Sequence, residues 1–186
     1  MENVHKNLHE DLVEKCKQGN QAAHKELYDL YCGAMFNICY RIANDRDDAQ
    51  DILQDAFISA FKNIESYRGT ASFGAWLKKI VVNKAINQIK RRRLEIVPVE
   101  EMIEEVADED VYEDEEIYLN VEMVKGAIQQ LPNGYRVVFS LYLLEGYDHK
   151  EIGEILEITE STSKSQYNRA KKKLREILKS EYEYER

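Results

Sequence analysis

Lys164, Ser165, Gln166 and Asn168 cluster in one short run, and Thr162 stands just before them. Side chains of these types hydrogen-bond base edges in a DNA major groove. Arg169, Lys172 and Lys173 follow directly, and such cations neutralise phosphate rather than read sequence. From 161 to 179 the chain carries seven bases against a single acid, Glu176. A second basic stretch, 78–93, holds seven bases and no acid. Lys79, Asn83, Lys84 and Lys90 fall on its outward face if it is helical, and Lys90, Arg91, Arg92 and Arg93 close it. Phe73 and Trp76 open that stretch, with Tyr67 and Ser72 in the segment before it. Aromatic rings beside a cationic face can stack on exposed bases. As single residues Phe73 and Trp76 are the better fit to a core; their place beside a loop and an unbroken cationic face is what supports the stacking role.

A third constellation is acidic. Asp48, Asp51 and Asp55 are spaced i, i+3, i+7, with Gln54 alongside, so a helix would gather them on one side. Carboxylates so placed can hold a divalent cation, but a helical metal centre draws further ligands from a facing helix. The preceding helical segment offers only His24, Glu26 and Asp29. The expectation is therefore no metal, no cofactor, no small-molecule substrate and no enzymatic activity. Cys16, Cys32 and Cys39 lack CxxC spacing and are expected as reduced thiols in or near a core.

The elements that position these residues are helical. Two prolines and eight glycines in 186 residues, with apolar spacing near 3.6 and no alternation at two, argue an all-α chain. Helices are expected at 21–43, with Ala23, Leu27, Leu30, Tyr31, Ala34, Met35 and Ile38 inward, at 47–64, and at 73–93. A short helix including Leu8, Leu12, Val13 and Cys16 precedes them. After 117 the helical period resumes, with a helix over 137–144 ending at Glu145-Gly146. Asp148 and Glu151 form a capping box ahead of Ile152, Ile155 and Leu156, and Gly153 permits close approach. A tight connection at 157–160 then leads to a helix capped by Ser161 or Thr162 and running to about 178. Two short helices, a tight turn and a basic second helix make a helix-turn-helix. An ordinary amphipathic hairpin with a solvated basic face would share the charge pattern, but not the polar run at 164–166.

The formal net charge of −9 looks wrong for a nucleic-acid binder until it is located. Residues 100–116 contain eleven acids and no base, which leaves 24 of the 35 acids against all 26 bases elsewhere. The acidity belongs to one segment, expected as an extended linker. The expected organisation is a helical domain over 1–94, an acidic linker over 95–116 and a helix-turn-helix domain over 117–186. Such a tether spans at most roughly 73 Å, about two turns of B-DNA at roughly 34–36 Å each. No stretch approaches the roughly 18 apolar residues of a membrane span, and no basic-then-apolar opening is present. A cytoplasmic protein without membrane insertion is expected.

Taken together, these runs resemble the extracytoplasmic-function (ECF) class of bacterial RNA polymerase sigma factors, over nearly the whole chain. Residues 49–57 resemble the family's polymerase-clamp contact helix. Phe73, Trp76, Leu77, Ile80 and Asn83 resemble its FxxWLxxIxxN promoter helix. Leu131-Pro132, 144–147, Glu151-Ile152, 162–165 and 169–171 resemble its region 4. The resemblance implies that the protein binds core RNA polymerase, directs it to promoters and assists their opening. It implies that Asp48, Asp51, Ile52, Gln54 and Asp55 contact polymerase. Tyr67, Ser72, Phe73, Trp76, Lys79, Asn83, Lys84, Lys90, Arg91, Arg92 and Arg93 would then serve the −10 element. Thr162, Lys164, Ser165, Gln166, Asn168, Arg169, Lys172 and Lys173 would serve the −35 element. An anti-sigma factor is a further implied partner. Ser163 and Gln166 stand where the family often has valine and arginine, and Asn87 where an acid is common; these departures bear on promoter choice. A stand-alone regulator using only the helix-turn-helix would leave 78–93 and the acidic segment without a role.

Overall fold

The computed structural model of the protein describes residues 9–93 and 121–184, apart from the side chains of 92, 93 and 182–184. The acidic segment expected at 95–116, and residues 117–120, lie outside the described residues. Every regular element among the described residues is helical. The chain divides into two compact units, Met1–Ile96 and Val97–Arg186.

In the first unit, α1 (Glu10–Lys17) leads into α2 (Gln21–Ala43), α3 (Arg46–Lys62), a 3₁₀ turn (Ile64–Ser66) and α4 (Phe73–Arg93). Polar caps set the boundaries. Asn20 accepts from the Ala23 amide at 3.1 Å, Asp45 from Asp48 at 2.9 Å and Ser72 from Ala75 at 3.2 Å. Asn44 closes α2 in the left-handed region. Helices α2, α3 and α4 pack on one another around Leu27, Ile38, Ile42, Leu53, Phe57, Leu77, Val81, Val82 and Ile86. Burying each such side chain contributes about 1.5–3 kcal/mol.

The α2 face differs from the expected one. Leu30 is 49% exposed and Ala34 is exposed, while Cys39 and Ile42 are buried instead. The buried stripe runs 23, 27, 35, 38, 39, 42, with Tyr31 half-buried on its line, so Leu30 stands about 100° off it. Gly74 lies against the Tyr31 ring, where a Cβ would fall 2.9 Å from Cε1. All three thiols are free. Burial pushes Cys16 up to about 11 and Cys39 up to about 12, which keeps both protonated and unreactive.

The second unit comprises α5 (Val121–Gln130), α6 (Asn133–Phe139) with a π-helical continuation (Ser140–Leu144), α7 (His149–Leu156) and α8 (Glu160–Tyr184). The expected helix over 137–144 is thus two pieces starting earlier, at Asn133. The wider turn shows in the Glu145 amide, which donates back five residues to Ser140 O at 3.0 Å. Ile128, Leu131, Phe139 and Ala170 form a core under Val124, Tyr135, Tyr167, Leu174 and Ile177. Arg136 is buried among them. Its guanidinium donates to Leu131 O at 2.9 Å, near the C-terminal end of α5, and to Asn133 Oδ1 at 2.8 Å.

Candidate nucleic-acid interface

The turn between α7 and α8 is built from a few close contacts. The Asp148 capping box is complete: its carboxylate accepts from the Glu151 amide at 2.7 Å, and Glu151 returns an acceptor to the Asp148 amide at 2.9 Å. Helix α7 ends at Glu157 in the left-handed region, φ 62°, and the Ile158 amide donates to Gly153 O at 3.0 Å. Gly153 is needed here, because a Cβ would lie 2.9 Å from the Ile158 carbonyl oxygen. Thr159 caps α8 by accepting from the Thr162 amide at 3.0 Å. The expected cap at Ser161 or Thr162 is therefore displaced: both residues are already inside the helix, which also runs past 178 to Tyr184.

Helix α8 buries Ser163 and Ala170 and turns Ser161, Lys164, Ser165 and Lys172 to solvent, with Gln166, Asn168 and Arg169 half-exposed. The residues expected to meet DNA thus lie along the free side of the second helix. Thr162 is the exception. Its hydroxyl is engaged by Thr159 at 2.8 Å and serves the turn. Lys164 pairs with Glu160 at 2.7 Å, and Lys173 with Glu176 at 3.0 Å. The Lys164 ammonium holds the exposed Glu160 carboxyl below the usual carboxylate range.

A contact that sequence reasoning missed ties the two helices together. His149 Nδ1 and Ser163 Oγ are 3.0 Å apart. Tyr142 stacks on the His149 ring, with centroids 4.3 Å apart and planes within 10°, and Tyr167 packs against both rings. Burial, then the charge of Lys164, lowers the pKa of His149. Only the polar type of Ser163 at an inward helical position could have signalled it.

In the first unit, α4 presents Lys79 and Asn83 to solvent, with Lys84 and Lys90 half-exposed and Arg91 exposed. The side chains of Arg92 and Arg93 lie outside the described residues. The aromatic residues divide. Tyr67 and Phe73 are buried, at 5% and 1% exposure, and the Tyr67 hydroxyl donates to Ala71 O at 2.7 Å. Phe73 thus lies in the core, as the sequence favours for it as a single residue, and with Tyr67 it forms the floor that holds the loop before α4; neither ring is open to a base. Trp76 rests 5.5 Å from each ring and remains half-exposed. Ser72, whose side chain caps α4, is exposed beside it.

The acids of α3 divide as well. Asp51, Gln54 and Asp55 are exposed, whereas Asp48 and Ile52 are buried, at 7% and 4%. Asp48 does not lie on the exposed face on which a partner would land, whereas Ile52 lines the groove between α3 and α4. Asp48 follows the cap residue Asp45 in the first turn of α3, where a carboxylate suits the positive end of the helix. Asp51, Gln54 and Asp55 look across a groove of about 420 Å³ toward Lys84, Asn87 and Arg91 of α4. Among the described residues no group of three or more His, Cys, Asp or Glu could hold a metal ion.

Both units match models of one family. The Sigma-70 region 2 model covers residues 27–95, which include most of α2 and all of α3 and α4, and the Sigma-70 region 4 model covers 122–174. The ECF RNA polymerase sigma factor SigW of Bacillus subtilis is 31% identical over 177 residues, 90% of this chain and 95% of that protein. The chain belongs to the ECF sigma factors. The ECF RNA polymerase sigma-E factor of Haemophilus influenzae is also 31% identical, over 86% of this chain and 89% of its own. Among solved structures, Bartonella quintana RpoE in complex with the anti-sigma factor NepR matches with a TM-score of 0.55. It is 24% identical and covers 83% of this chain and 96% of that one. CnrH, solved with the cytosolic domain of CnrY, matches with a TM-score of 0.53 at 22% identity, over 91% and 96%. These two likenesses bear on the fold. In this sigma factor the basic face of α8 falls within the region 4 match, and the α3–α4 groove and the loop before α4 within the region 2 match. No helix among the described residues is long and apolar enough to cross a membrane.

Proposed function

We propose that the two units of this sigma factor divide one promoter between them. As an ECF sigma factor the chain binds core RNA polymerase, directs it to promoters and assists their opening. The helix-turn-helix domain over 117–186, within the second unit, reads the −35 element with α8 in the major groove. Lys164, Ser165, Gln166 and Asn168 address base edges, while Arg169, Lys172 and Lys173 sit on phosphate. The observation that carries this is the free polar and basic side of α8, presented by a turn that Gly153 and Thr159 fix.

The helical domain over 1–94, within the first unit, handles the −10 element. The half-exposed Trp76 packs on the floor of the loop before α4, and Lys79 and Asn83 follow on the exposed side of that helix, so a base leaving the stack can be caught there. Unstacking costs a few kcal/mol per base, which the contacts at this loop offset. Asp51, Gln54 and Asp55 face polymerase. The acidic segment at 95–116 links the units, so that each raises the effective concentration of the other at the promoter. The protein works in the cytoplasm without catalysing a reaction of its own. The RpoE relative is bound by an anti-sigma factor, and a masking partner of that kind is proposed here too.

Run-off transcription with core enzyme and this protein, followed by start-site mapping, tests the proposal. Initiation at promoters that core enzyme alone does not use is expected. Core enzyme that gains no start site, with tight specific DNA binding by the protein alone, would make it a stand-alone regulator instead.

A further inference from the structure

Helix α1 lies ahead of residue 27, where the region 2 match begins, yet it is packed on α2 and on the 3₁₀ turn that leads into the loop before α4. His9 stands at its head. The backbone there is left-handed, φ 73°, a region that few residues other than glycine adopt. The His9 carbonyl accepts from the Leu12 and Val13 amides at 3.1 Å each, which fixes the first turn of α1. Its ring is turned onto α2. His9 Nδ1 and the Tyr31 hydroxyl share a hydrogen bond of 3.0 Å, and the two rings meet edge to face, with centroids 5.6 Å apart and planes at 89°.

Tyr31 carries that contact on to the loop. Its ring centroid lies 5.4 Å from that of Phe73, and the ring fills the space beside Gly74, where a Cβ would fall 2.9 Å from Cε1. Phe73 packs in turn on Tyr67 and Trp76. A chain of ring contacts therefore runs from His9 through Tyr31 and Phe73 to Trp76, the half-exposed ring at the proposed −10 site. Space-filling alone would be served by phenylalanine at 31. The hydroxyl adds a tie at the far end of a half-buried ring, where packing leaves the most freedom. Catching an unstacked base needs a receiving surface already in place, since a displacement of about 1 Å forfeits much of the benefit.

We infer that His9 is a positioning residue for promoter opening: through the Tyr31 hydroxyl it holds the Phe73–Trp76 floor of the loop before α4 in its base-catching arrangement. The inference rests on the proposed −10 role of that loop and extends it to α1.

The test compares wild type, His9→Ala, Tyr31→Phe, the two combined, and Asn83→Ala, each with circular dichroism and a thermal melt and each assayed below its melting range. Trp76 is the only tryptophan in the chain, so acrylamide quenching of the free factor reports on the loop directly. Quenching is expected to rise in His9→Ala and in Tyr31→Phe. With holoenzyme at saturation, both should keep initial duplex binding while permanganate reactivity of the melted region falls at least about twofold, the worth of one hydrogen bond. Because both remove the same bond, the combined variant should lose no more than the worse single one. Unchanged quenching, a smaller loss of opening, an equal loss of duplex binding, or losses that multiply in the combined variant each overturn the inference. Impaired opening by Asn83→Ala alone leaves the −10 reading standing without the brace; normal opening by all the variants takes that reading down and the inference with it. Should His9→Ala lose helix content, Tyr31→Phe, which keeps the ring, is read alone by the same thresholds.

Discussion

His149 on α7 and Ser163 on α8 share a hydrogen bond of 3.0 Å, made where the two helices of the turn motif cross. The hydroxyl is fully buried, and the ring is held between Tyr142 and Tyr167. Removing one partner leaves the other without its bond, at about 1–3 kcal/mol. Ser163→Val is therefore expected to lower the melting temperature, and His149→Gln, which can still reach the hydroxyl, to lower it less. Because burial depresses the His149 pKa, the folded state favours the neutral ring. The unfolded chain binds the extra proton, so this contribution is complete above the ordinary value of about 6.5. It is lost as pH falls from there through the folded pKa. Melts at a series of pH values from 7.5 to 5 should show the wild type losing stability faster than His149→Gln.

Gly153→Ala probes the other anchor of the turn. The added methyl would stand 2.9 Å from the Ile158 carbonyl oxygen, and backbone yields less readily than a flexible side chain. About 1–3 kcal/mol of destabilisation is expected, with α7 and α8 splayed. Binding to a −35 duplex should weaken across all sequences tested, because the whole helix is moved. A selective loss at a few base pairs would contradict that.

The helices of this chain were legible from their apolar spacing, and at α7 from the cap as well, where Asp148 with Glu151 marks its start. Errors arose where a side chain's type does not decide its direction. Asp48 and Asp51 are the same residue three positions apart, yet one is buried and the other exposed, because the first turn of α3 tucks Asp48 inward. Tyr67 and Phe73 carry the same ambiguity. Aromatic rings beside a basic helix suit either a ligand or a core, and tertiary packing placed these two in the core. The displaced cap of α8 reflects four hydroxyl residues within five positions, Thr159, Ser161, Thr162 and Ser163, of which only the backbone path selects one. The groove between α3 and α4 was invisible because its walls are separated by 29 to 40 residues in sequence.

Lys164 must leave Glu160 to reach a base. Both side chains are more than half exposed, and an exposed pair of this kind is worth about 0–1 kcal/mol. The barrier is small, and Glu160→Gln is expected to tighten −35 binding by less than about fivefold. Lys164→Ala, by contrast, removes a base-edge donor, at about 1–3 kcal/mol for a good contact. Promoter preference should change with it, measured by competition among duplexes differing at single −35 positions. An unaltered ranking would count against the docking of α8.

The loop before α4 separates support from recognition. Phe73 is buried against Tyr31, Tyr67 and Trp76, so Phe73→Ala is expected to cost about 3–5 kcal/mol of stability and to lower every activity with it. Asn83 is exposed on α4, and Asn83→Ala should leave the melting temperature within about a degree, since surface substitutions stay near 0.5 kcal/mol. Its effect belongs to the opened promoter. With holoenzyme at saturation, initial duplex binding should persist while permanganate reactivity of the melted region falls severalfold. Equal loss of both steps would place Asn83 on the duplex instead. Trp76→Ala distinguishes the two kinds of role within one residue: a ring half-exposed over Tyr67 and Phe73 should lose some stability and also some opening, whereas a purely structural ring would regain full opening once the variant is assayed below its melting range.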